Sequence, residues 1–299
     1  MKKHTLKDWF IATRPWSFVV SAMPVLLTFL FLAFRNGGFS GLNVLNFVLA
    51  LVGILIFHAA GNVLSDWFDY RSGVDSKEAY AVPNLVLGYY QPKEYLMFGS
   101  VLLSIGCVVG VLLTVLSGPM LLVIGIAGLL LTVAYSYCKG KALGEVVIFL
   151  NFGVLPMLGT SFVTTGSVDF STLLLSLPIG FITVAVLLIN NIRDMATDRA
   201  AGLKTLPMLL NASRSVKLYQ AIVIIPFCYI VLMAVLGYLP WFSLLALLGF
   251  LPARDLLMGA RQFEVQGNEA ILTLDQKTAK LQLIFGLTFA IGLLVAAIL

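Results

Sequence analysis

Charged side chains are scarce in this sequence. Only 11% of its 299 residues are Asp, Glu, Lys or Arg, whereas a soluble domain carries about 25%. That scarcity excludes an ordinary water-soluble domain. Together with 60% hydrophobic residues and a mean hydropathy of +1.00, it indicates a polytopic protein that folds within a lipid bilayer.

Histidine and cysteine are also few. The sequence has 2 His and 3 Cys, and Cys107, Cys138 and Cys228 lie far apart. This pattern excludes a disulfide framework and a zinc site built from closely spaced Cys and His. The net charge of +5 does not indicate nucleic-acid binding, because the basic residues lie in short loops between apolar stretches.

The apolar stretches predict an all-α bundle of nine transmembrane helices in a single domain, residues 1–299. A span needs about 20 mostly apolar residues. The predicted spans are Trp16–Phe34, Leu45–Ser65, Tyr95–Leu116, Pro119–Tyr137, Leu143–Val163, Thr172–Asn191, Val216–Gly237, Trp241–Met258 and Leu281–Leu299.

Charge is almost confined to one side of this bundle. Arg35 is the single basic residue, and Asp169 the single acidic residue, that falls outside the N-terminal segment and the loops after even-numbered spans. The positive-inside rule then predicts a cytoplasmic N-terminus and an external C-terminus in the cell (inner or plasma) membrane, with the chemistry at the cytoplasmic face. Three long segments on that side are predicted to cap the bundle: Tyr70–Glu94, Arg193–Ser215 and Arg254–Lys280.

The second span ends in polar residues. At 3.6 residues per turn, Asn62, Asp66 and Asp69 share one helix face. Carboxylates this close to hydrocarbon usually face a protein interior or a water-filled cavity. The alternative is a solvated helix end with ordinary acidic residues. Acidic groups without nearby Lys or Arg repel one another unless a cation is part of the site.

The sixth span ends in a second set. Asn190, Asp194 and Asp198 are spaced i, i+4 and i+8, which predicts one face of one helix on the same side of the membrane. Carboxylates from two helices, without His or Cys at ligand spacing, favour a hard cation such as Mg²⁺ over zinc. Mg²⁺ commonly completes its coordination with water and substrate phosphates. The charges of four Asp residues and a diphosphate would be largely balanced by two Mg²⁺ ions and nearby Lys and Arg, so the site suits a diphosphate substrate.

Tyr135 and Lys139 share a face at the end of the fourth span. Lys139 could bind a phosphate and the phenol could hydrogen-bond to it, although Tyr and Lys also serve as interfacial anchors. Further basic candidates for phosphate binding are Arg71, Arg199 and Lys204.

These residues resemble the UbiA superfamily of membrane prenyltransferases along essentially the whole chain. Asn62-x-x-x-Asp66-x-x-Asp69 is similar to its first aspartate-rich motif, and Asp194-x-x-x-Asp198 to its second. Tyr135-x-x-x-Lys139 is similar to its Tyr/Lys motif. Residues 12–17, 66–75, 190–194 and 202–206 most resemble 1,4-dihydroxy-2-naphthoate polyprenyltransferases of menaquinone synthesis.

The resemblance implies transfer of a polyprenyl group from a polyprenyl diphosphate to a small aromatic acceptor, with Mg²⁺ bound by the four Asp residues. The implied catalytic residues are Asp66, Asp69, Asp194, Asp198, Lys139 and Tyr135. The substrate-binding candidates are Asn62, Arg71, Asn190, Asn191, Lys204, Arg14 and His58. The segment Ala81–Leu85 departs from the family pattern, because it has no basic residue.

Other functions are compatible with the same residues. The acceptor could be 4-hydroxybenzoate or another aromatic compound, and a cation-coupled transporter is the alternative from a different class. His58 could touch the acceptor or make a structural hydrogen bond between helices, and Arg14 could be an interfacial anchor. The sequence does not predict the oligomeric state.

Overall fold

The structure is a computed structural model that describes residues 4–72 and 84–299. The described residues form helices and turns, without a strand. The α-helices in chain order are α1 Leu6–Ala12, α2 Val19–Arg35, α3 Val44–Ser72, α4 Pro92–Ser117, α5 Met120–Lys139, α6 Gly144–Ile148, α7 Leu155–Thr165, α8 Ser176–Arg193, α9 Met195–Ala200, α10 Leu206–Leu210, α11 Ala212–Val235, α12 Phe250–Arg261, α13 Phe263–Gln266 and α14 Leu274–Ile298.

Short segments of other helical types extend several of these helices. They are the 3₁₀ segments Pro15–Ser17, Phe170–Leu175, Trp241–Gly249 and Gly267–Ile271, and the π-helical segment Phe149–Val154 that joins α6 to α7. Such π-helical insertions accommodate an extra residue within a helix and often lie near functional sites.

Eight helical stretches in the described part of the chain are long and apolar enough to cross a membrane. They are Pro15–Arg35, Val44–Arg71, Pro92–Ser117, Gly144–Thr165, Phe170–Arg193, Ala212–Val235, Trp241–Ile271 and Leu274–Ile298. The remaining predicted span corresponds to α5, whose apolar part, Met120–Tyr135, is shorter. The all-α, multi-pass architecture predicted from the sequence is therefore confirmed, with eight long spans and one shorter apolar helix.

The buried core lies between α2, α8, α11 and α14, with α14 packed against both α2 and α8. Its largest side chains include Phe31, Tyr219, Phe285 and Phe289. Close packing at the π-helical segment depends on glycine, because a Cβ at Gly153 would lie 3.2 Å from the Cα of Gly180 in α8. Small residues at such crossings let helix backbones approach closely in membranes.

Two helix ends differ from the sequence prediction. α3 continues past the predicted end at Ser65 to Ser72, since no Gly or Pro interrupts it before Gly73. The predicted uninterrupted helix through Asn190, Asp194 and Asp198 is wrong. α8 ends at Arg193, and α9 begins after Asp194.

Parts of the predicted capping segments are helical and pack together. The segment 193–215 contains α9 and α10, and the segment 254–280 contains the end of α12, all of α13 and the start of α14. Ser213 Oγ donates to Glu264 Oε1 at 3.2 Å, and Asn268 Nδ2 donates to the carbonyl oxygen of Arg193 at 3.0 Å. These bonds join the second and third capping segments beside the second aspartate-rich motif.

Candidate active site

The first aspartate-rich segment lies in the last turns of α3. Asp66 is buried, and its Oδ1 accepts a bond of 2.5 Å from Arg14 Nη2. Asp69 lies one turn further, is partly buried and accepts a hydrogen bond from the Ser65 side chain. The basic neighbour of Asp66 is Arg14, which comes from an N-terminal segment distant in sequence.

Arg14 reaches Asp66 from an unusual backbone conformation. It has φ 54° and ψ 59°, in the left-handed region, directly before Pro15. Proline disfavours right-handed helical geometry in the preceding residue, and left-handed geometry is costly for a residue with a Cβ. Ser17 Oγ holds this turn by donating to the carbonyl oxygen of Arg14 at 2.8 Å. The backbone of this turn therefore determines the position from which the Arg14 side chain extends toward Asp66.

Asn62 and His58 attach this N-terminal segment to α3. Asn62 Nδ2 donates to the Thr13 carbonyl oxygen at 2.8 Å and to Ser17 Oγ at 3.1 Å. The His58 ring nitrogens lie 3.1 Å from Ser17 Oγ and 2.7 Å from Ser21 Oγ. The structure thus gives both side chains interhelical partners, and their predicted contacts with substrate stay predictions.

The second aspartate-rich segment surrounds the junction of α8 and α9. Asp194 has φ −92° and ψ 10° and makes two bonds with Arg193, Nε to Oδ1 at 2.8 Å and Nη2 to Oδ2 at 3.0 Å. Asp198 Oδ1 accepts from Lys139 Nζ at 3.1 Å. Burial raises the pKa of Asp198, while Lys139 opposes that shift by stabilising the carboxylate.

Two oxygen atoms in this segment are buried without a hydrogen-bond partner among the described residues. They are Asp198 Oδ2 and Asn190 Oδ1. Buried polar atoms are usually satisfied, so each such exception requires an explanation. Both atoms are hard oxygen donors of the type that Mg²⁺ prefers. The neighbouring residue Asn191 has a protein partner, because its Nδ2 donates a hydrogen bond to Oε1 of buried Glu145 at 2.9 Å.

Lys139 lies between the two aspartate-rich segments. It bonds directly to Asp198, and its charge also acts on Asp69. Tyr135, one turn earlier in α5, lies within electrostatic range of Asp69, Asp198 and Glu145. Lys139 therefore lies close to carboxylates that are contributed by two different helices, α3 and α9.

Gly144 permits close packing where α6 begins beside α5. A Cβ there would lie 3.3 Å from Lys139 Cα and 3.6 Å from Tyr135 Cε2. The first of these distances is tighter than ordinary van der Waals contact. A larger residue at this position would displace the helix end that carries Tyr135 and Lys139.

The side chains of the two aspartate-rich segments offer carboxylate and amide oxygens, which suit magnesium better than a softer metal. The carboxylates come from four Asp residues, and no group of three or more His, Cys, Asp or Glu in the described residues is close enough to hold one ion by itself. Mg²⁺ suits such a site, since it commonly takes one or two protein carboxylates and completes its octahedron with water and substrate phosphates.

Three of the predicted basic residues lie outside these contacts. Arg71 is exposed, with its guanidinium carbon 5.3 Å from the centre of the Trp67 ring. Arg199 and Lys204 are also exposed. Among the described residues, none of the three forms an ion pair with a carboxylate. Positions 81–83 of the segment without a basic residue lie outside the part of the chain that the structure describes.

A comparison with protein families shows to which family the chain is related. Residues 21–263 match the model described as the UbiA prenyltransferase family. The chain belongs to this family. UbiA prenyltransferase domain-containing protein 1 of Xenopus tropicalis is 33% identical over 300 residues, covering 98% of this chain and 84% of the relative. The human protein of the same name is 32% identical over 295 residues, covering 97% and 84%.

Solved UbiA-type structures share the fold. A structure described as digeranylgeranylglyceryl phosphate synthase has a TM-score of 0.63 at 18% identity, covering 97% of this chain and 99% of that chain. A UbiA homologue from Archaeoglobus fulgidus bound to GPP and Mg²⁺ has a TM-score of 0.60 at 15% identity, with coverage of 97% and 99%. Membership of the UbiA family is confirmed, whereas the names of these relatives specify no naphthoate acceptor.

Sequence reasoning missed two side-chain pairs that lie beside the second aspartate-rich segment. One is the hydrogen bond in which the Glu145 carboxylate accepts from Asn191. Arg193 and Asp275 were not considered as a pair, although Arg193 Nη1 donates to Asp275 Oδ2 at 3.0 Å. No local sequence pattern signals a contact between residues separated by 82 positions.

Proposed function

We propose that this UbiA-family protein transfers a polyprenyl group from a polyprenyl diphosphate to an aromatic acceptor in a Mg²⁺-dependent reaction. One observation carries the proposal: Lys139 bonds to Asp198 of the second aspartate-rich segment and acts electrostatically on Asp69 of the first. The A. fulgidus homologue described as bound to GPP and Mg²⁺ supports the same pairing of metal and prenyl diphosphate.

The four Asp residues and Asn190 are the proposed metal and diphosphate site. Asp198 Oδ2 and Asn190 Oδ1 have the hard-donor chemistry and lack partners in the described residues. Bound Mg²⁺ would stabilise the charge of the departing diphosphate as a Lewis acid. Lys139 already lies against Asp198, where it can also bind phosphate oxygens by charge-assisted hydrogen bonds.

The proposed reaction breaks the bond between the allylic carbon and the diphosphate oxygen. An electron-rich carbon of the acceptor ring then forms a bond to the allylic carbon. The ring recovers its aromaticity by losing one group, which is CO₂ from an ionised carboxylate on that carbon or a proton where the carbon carries hydrogen. Exclusion of water protects such a cationic centre from hydrolysis. The bundle suits this requirement, because the capping segments 193–215 and 254–280 pack together beside the second aspartate-rich segment.

The proposed acceptor is 1,4-dihydroxy-2-naphthoate, as in menaquinone synthesis. Support comes from the likeness of residues 12–17, 66–75, 190–194 and 202–206 to naphthoate prenyltransferases. Arg14, within the first of these stretches, is a cation beside Asp66, so it is a candidate to bind the acceptor carboxylate. The proposed location is the cell membrane, with the N-terminus and the active site on the cytoplasmic side.

A product assay tests the proposal. Purified protein in detergent receives Mg²⁺, a labelled long-chain polyprenyl diphosphate and either 1,4-dihydroxy-2-naphthoate or 4-hydroxybenzoate. A prenylated naphthol that forms only with Mg²⁺ supports the full proposal. A prenylated benzoate alone would retain the reaction class and overturn the acceptor. Absence of both product and diphosphate binding would contradict the proposed function.

A further inference from the structure

Arg193 contacts two carboxylates with one guanidinium group. Its Nε and Nη2 atoms bond to both oxygens of Asp194, and Nη1 donates to Oδ2 of Asp275 at 3.0 Å. Nη1 also lies 3.4 Å from the carbonyl oxygen of Leu272. The guanidinium group is planar with donors in a fixed fork, so contacts on two of its edges determine its orientation.

Asp275 anchors this arrangement from the last span. It lies in the first turn of α14, where the helix dipole favours a carboxylate. Its side chain is 11% exposed and that of Arg193 is 13% exposed, so water is largely excluded from the pair. Movement of Arg193 would leave a buried carboxylate without its partner, which is strongly unfavourable. Asp275 thus holds the Nη1 edge of the guanidinium group, while the Nε and Nη2 edge contacts Asp194.

The backbone of Arg193 is held as well. Asn268 Nδ2 donates to its carbonyl oxygen at 3.0 Å. Residues from 268 to 275 therefore contact both the main chain and the side chain of the residue directly before Asp194. This second connection links the third capping segment to the same end of α8.

The charges of the three groups determine what Asp194 offers to a cation. Arg193 contributes one positive charge, and Asp194 and Asp275 contribute two negative charges, so the group keeps one net negative charge. Each carboxylate oxygen of Asp194 also retains a lone pair after accepting from Arg193. Without the Asp275 charge, Arg193 and Asp194 would form a neutral pair that attracts a divalent cation less strongly.

We propose that Asp275 is a positioning residue that holds Arg193 against Asp194 and offsets its charge, so that α14 sets the divalent-cation affinity of the second aspartate-rich segment. This inference rests on the proposed function, which places Mg²⁺ at that segment. Asp275 touches neither metal nor substrate in this account and acts through Arg193.

Direct Mn²⁺ binding, followed by electron paramagnetic resonance on purified protein with inorganic diphosphate, tests the inference. Asp275→Asn keeps the shape and removes the charge, so we expect about tenfold weaker Mn²⁺ binding. The rate at saturating Mg²⁺ should stay within about twofold of wild type, since the reacting groups are unchanged. Asp275→Glu retains the charge and should restore most of the affinity. Asp255→Asn, an exposed acid on α12, is the matched control and should bind as wild type.

A double-variant comparison separates positioning from a general structural role. If Asp275 acts in part by holding Arg193, Asp275→Asn should weaken Mn²⁺ binding clearly less in the Arg193→Gln background than in wild type, because only the direct effect of its charge then remains. Equal effects of Asp275→Asn in both backgrounds would overturn the inference. A loss of rate at unchanged Mn²⁺ affinity would do the same, because it indicates only a reduced active fraction.

Two further results keep the test decisive. If Asp275→Asn does not fold, Arg193→Lys replaces it, because a lysine keeps the charge but cannot span both carboxylates. Wild-type Mn²⁺ affinity in Arg193→Lys would then overturn the inference. Failure of the wild-type protein to bind Mn²⁺ would contradict the proposed function and the inference together. Normal binding by wild type and by Asp275→Asn would overturn the inference alone.

Discussion

The substitution Asp198→Asn tests whether the second aspartate-rich segment binds the metal. Asp198 is buried, pairs with Lys139 at 3.1 Å and has one oxygen without a partner in the described residues. Asparagine keeps the size of the side chain and an oxygen that can accept from Lys139. The variant therefore removes one negative charge and one metal-binding oxygen while preserving the packing.

The contacts of Asp198 allow an estimate of the effect on stability and of the effect on the reaction rate. Exchange of a charge-assisted bond for a neutral one lowers the free energy of unfolding by about 1–2 kcal/mol, so the variant should remain folded. Loss of one metal-binding carboxylate removes about 3 kcal/mol of transition-state stabilisation, which corresponds to a roughly hundredfold lower rate.

The assay is the Mg²⁺-dependent formation of prenylated product, with thermal unfolding in the same detergent as the check on folding. Asp169→Asn is the matched control. It is the same exchange on the predicted external side, where Asp169 Oδ1 accepts from the Ser171 backbone nitrogen at 2.8 Å. We expect this control to retain the wild-type rate. Retention of more than about half the activity by Asp198→Asn would refute the assignment of Asp198 to the metal site.

Three further substitutions test neighbouring contacts. Arg14→Gln should lower the free energy of unfolding by about 1 kcal/mol in thermal denaturation, because the Arg14 side chain is 47% exposed and water screens its bond to Asp66; an unchanged melting temperature would contradict this. Gly144→Ala should cost about 1–3 kcal/mol and lower the rate, because the new methyl group approaches Lys139 Cα; wild-type stability and activity would contradict this. Asn191→Leu should cost about 1–3 kcal/mol, because Glu145 loses a buried donor, whereas a wild-type unfolding curve would show that the bond adds little.

The sequence predicts much of the fold, because the dominant signal is local. Apolar runs of sufficient length predict each span, and the helix that carries Asp66 was misjudged only at its end. The prediction stopped α3 at Ser65, where the apolar run ends. The helix continues through Ser72, because no Gly or Pro interrupts its backbone hydrogen bonds after the apolar run has ended.

The contacts of the site were harder to predict, because they join distant parts of the chain. The motif spacing identified Asp66 and Asp198 as candidates, but not their basic partners. Arg14 and Asp66 are separated by 52 positions, and Arg193 and Asp275 by 82. Such pairs follow from the packing of whole helices, and one sequence carries no signal for them.

Binding of a polyprenyl diphosphate tests most directly whether the two aspartate-rich segments form one site. The measurement is Mg²⁺-dependent binding of a labelled polyprenyl diphosphate to wild type, Asp66→Asn, Asp198→Asn and the double variant. Our account predicts that each single variant loses most of the binding and that the double variant loses little more, since both segments hold the same ligand. Wild-type binding by either single variant, or independent and additive losses, would contradict a shared site.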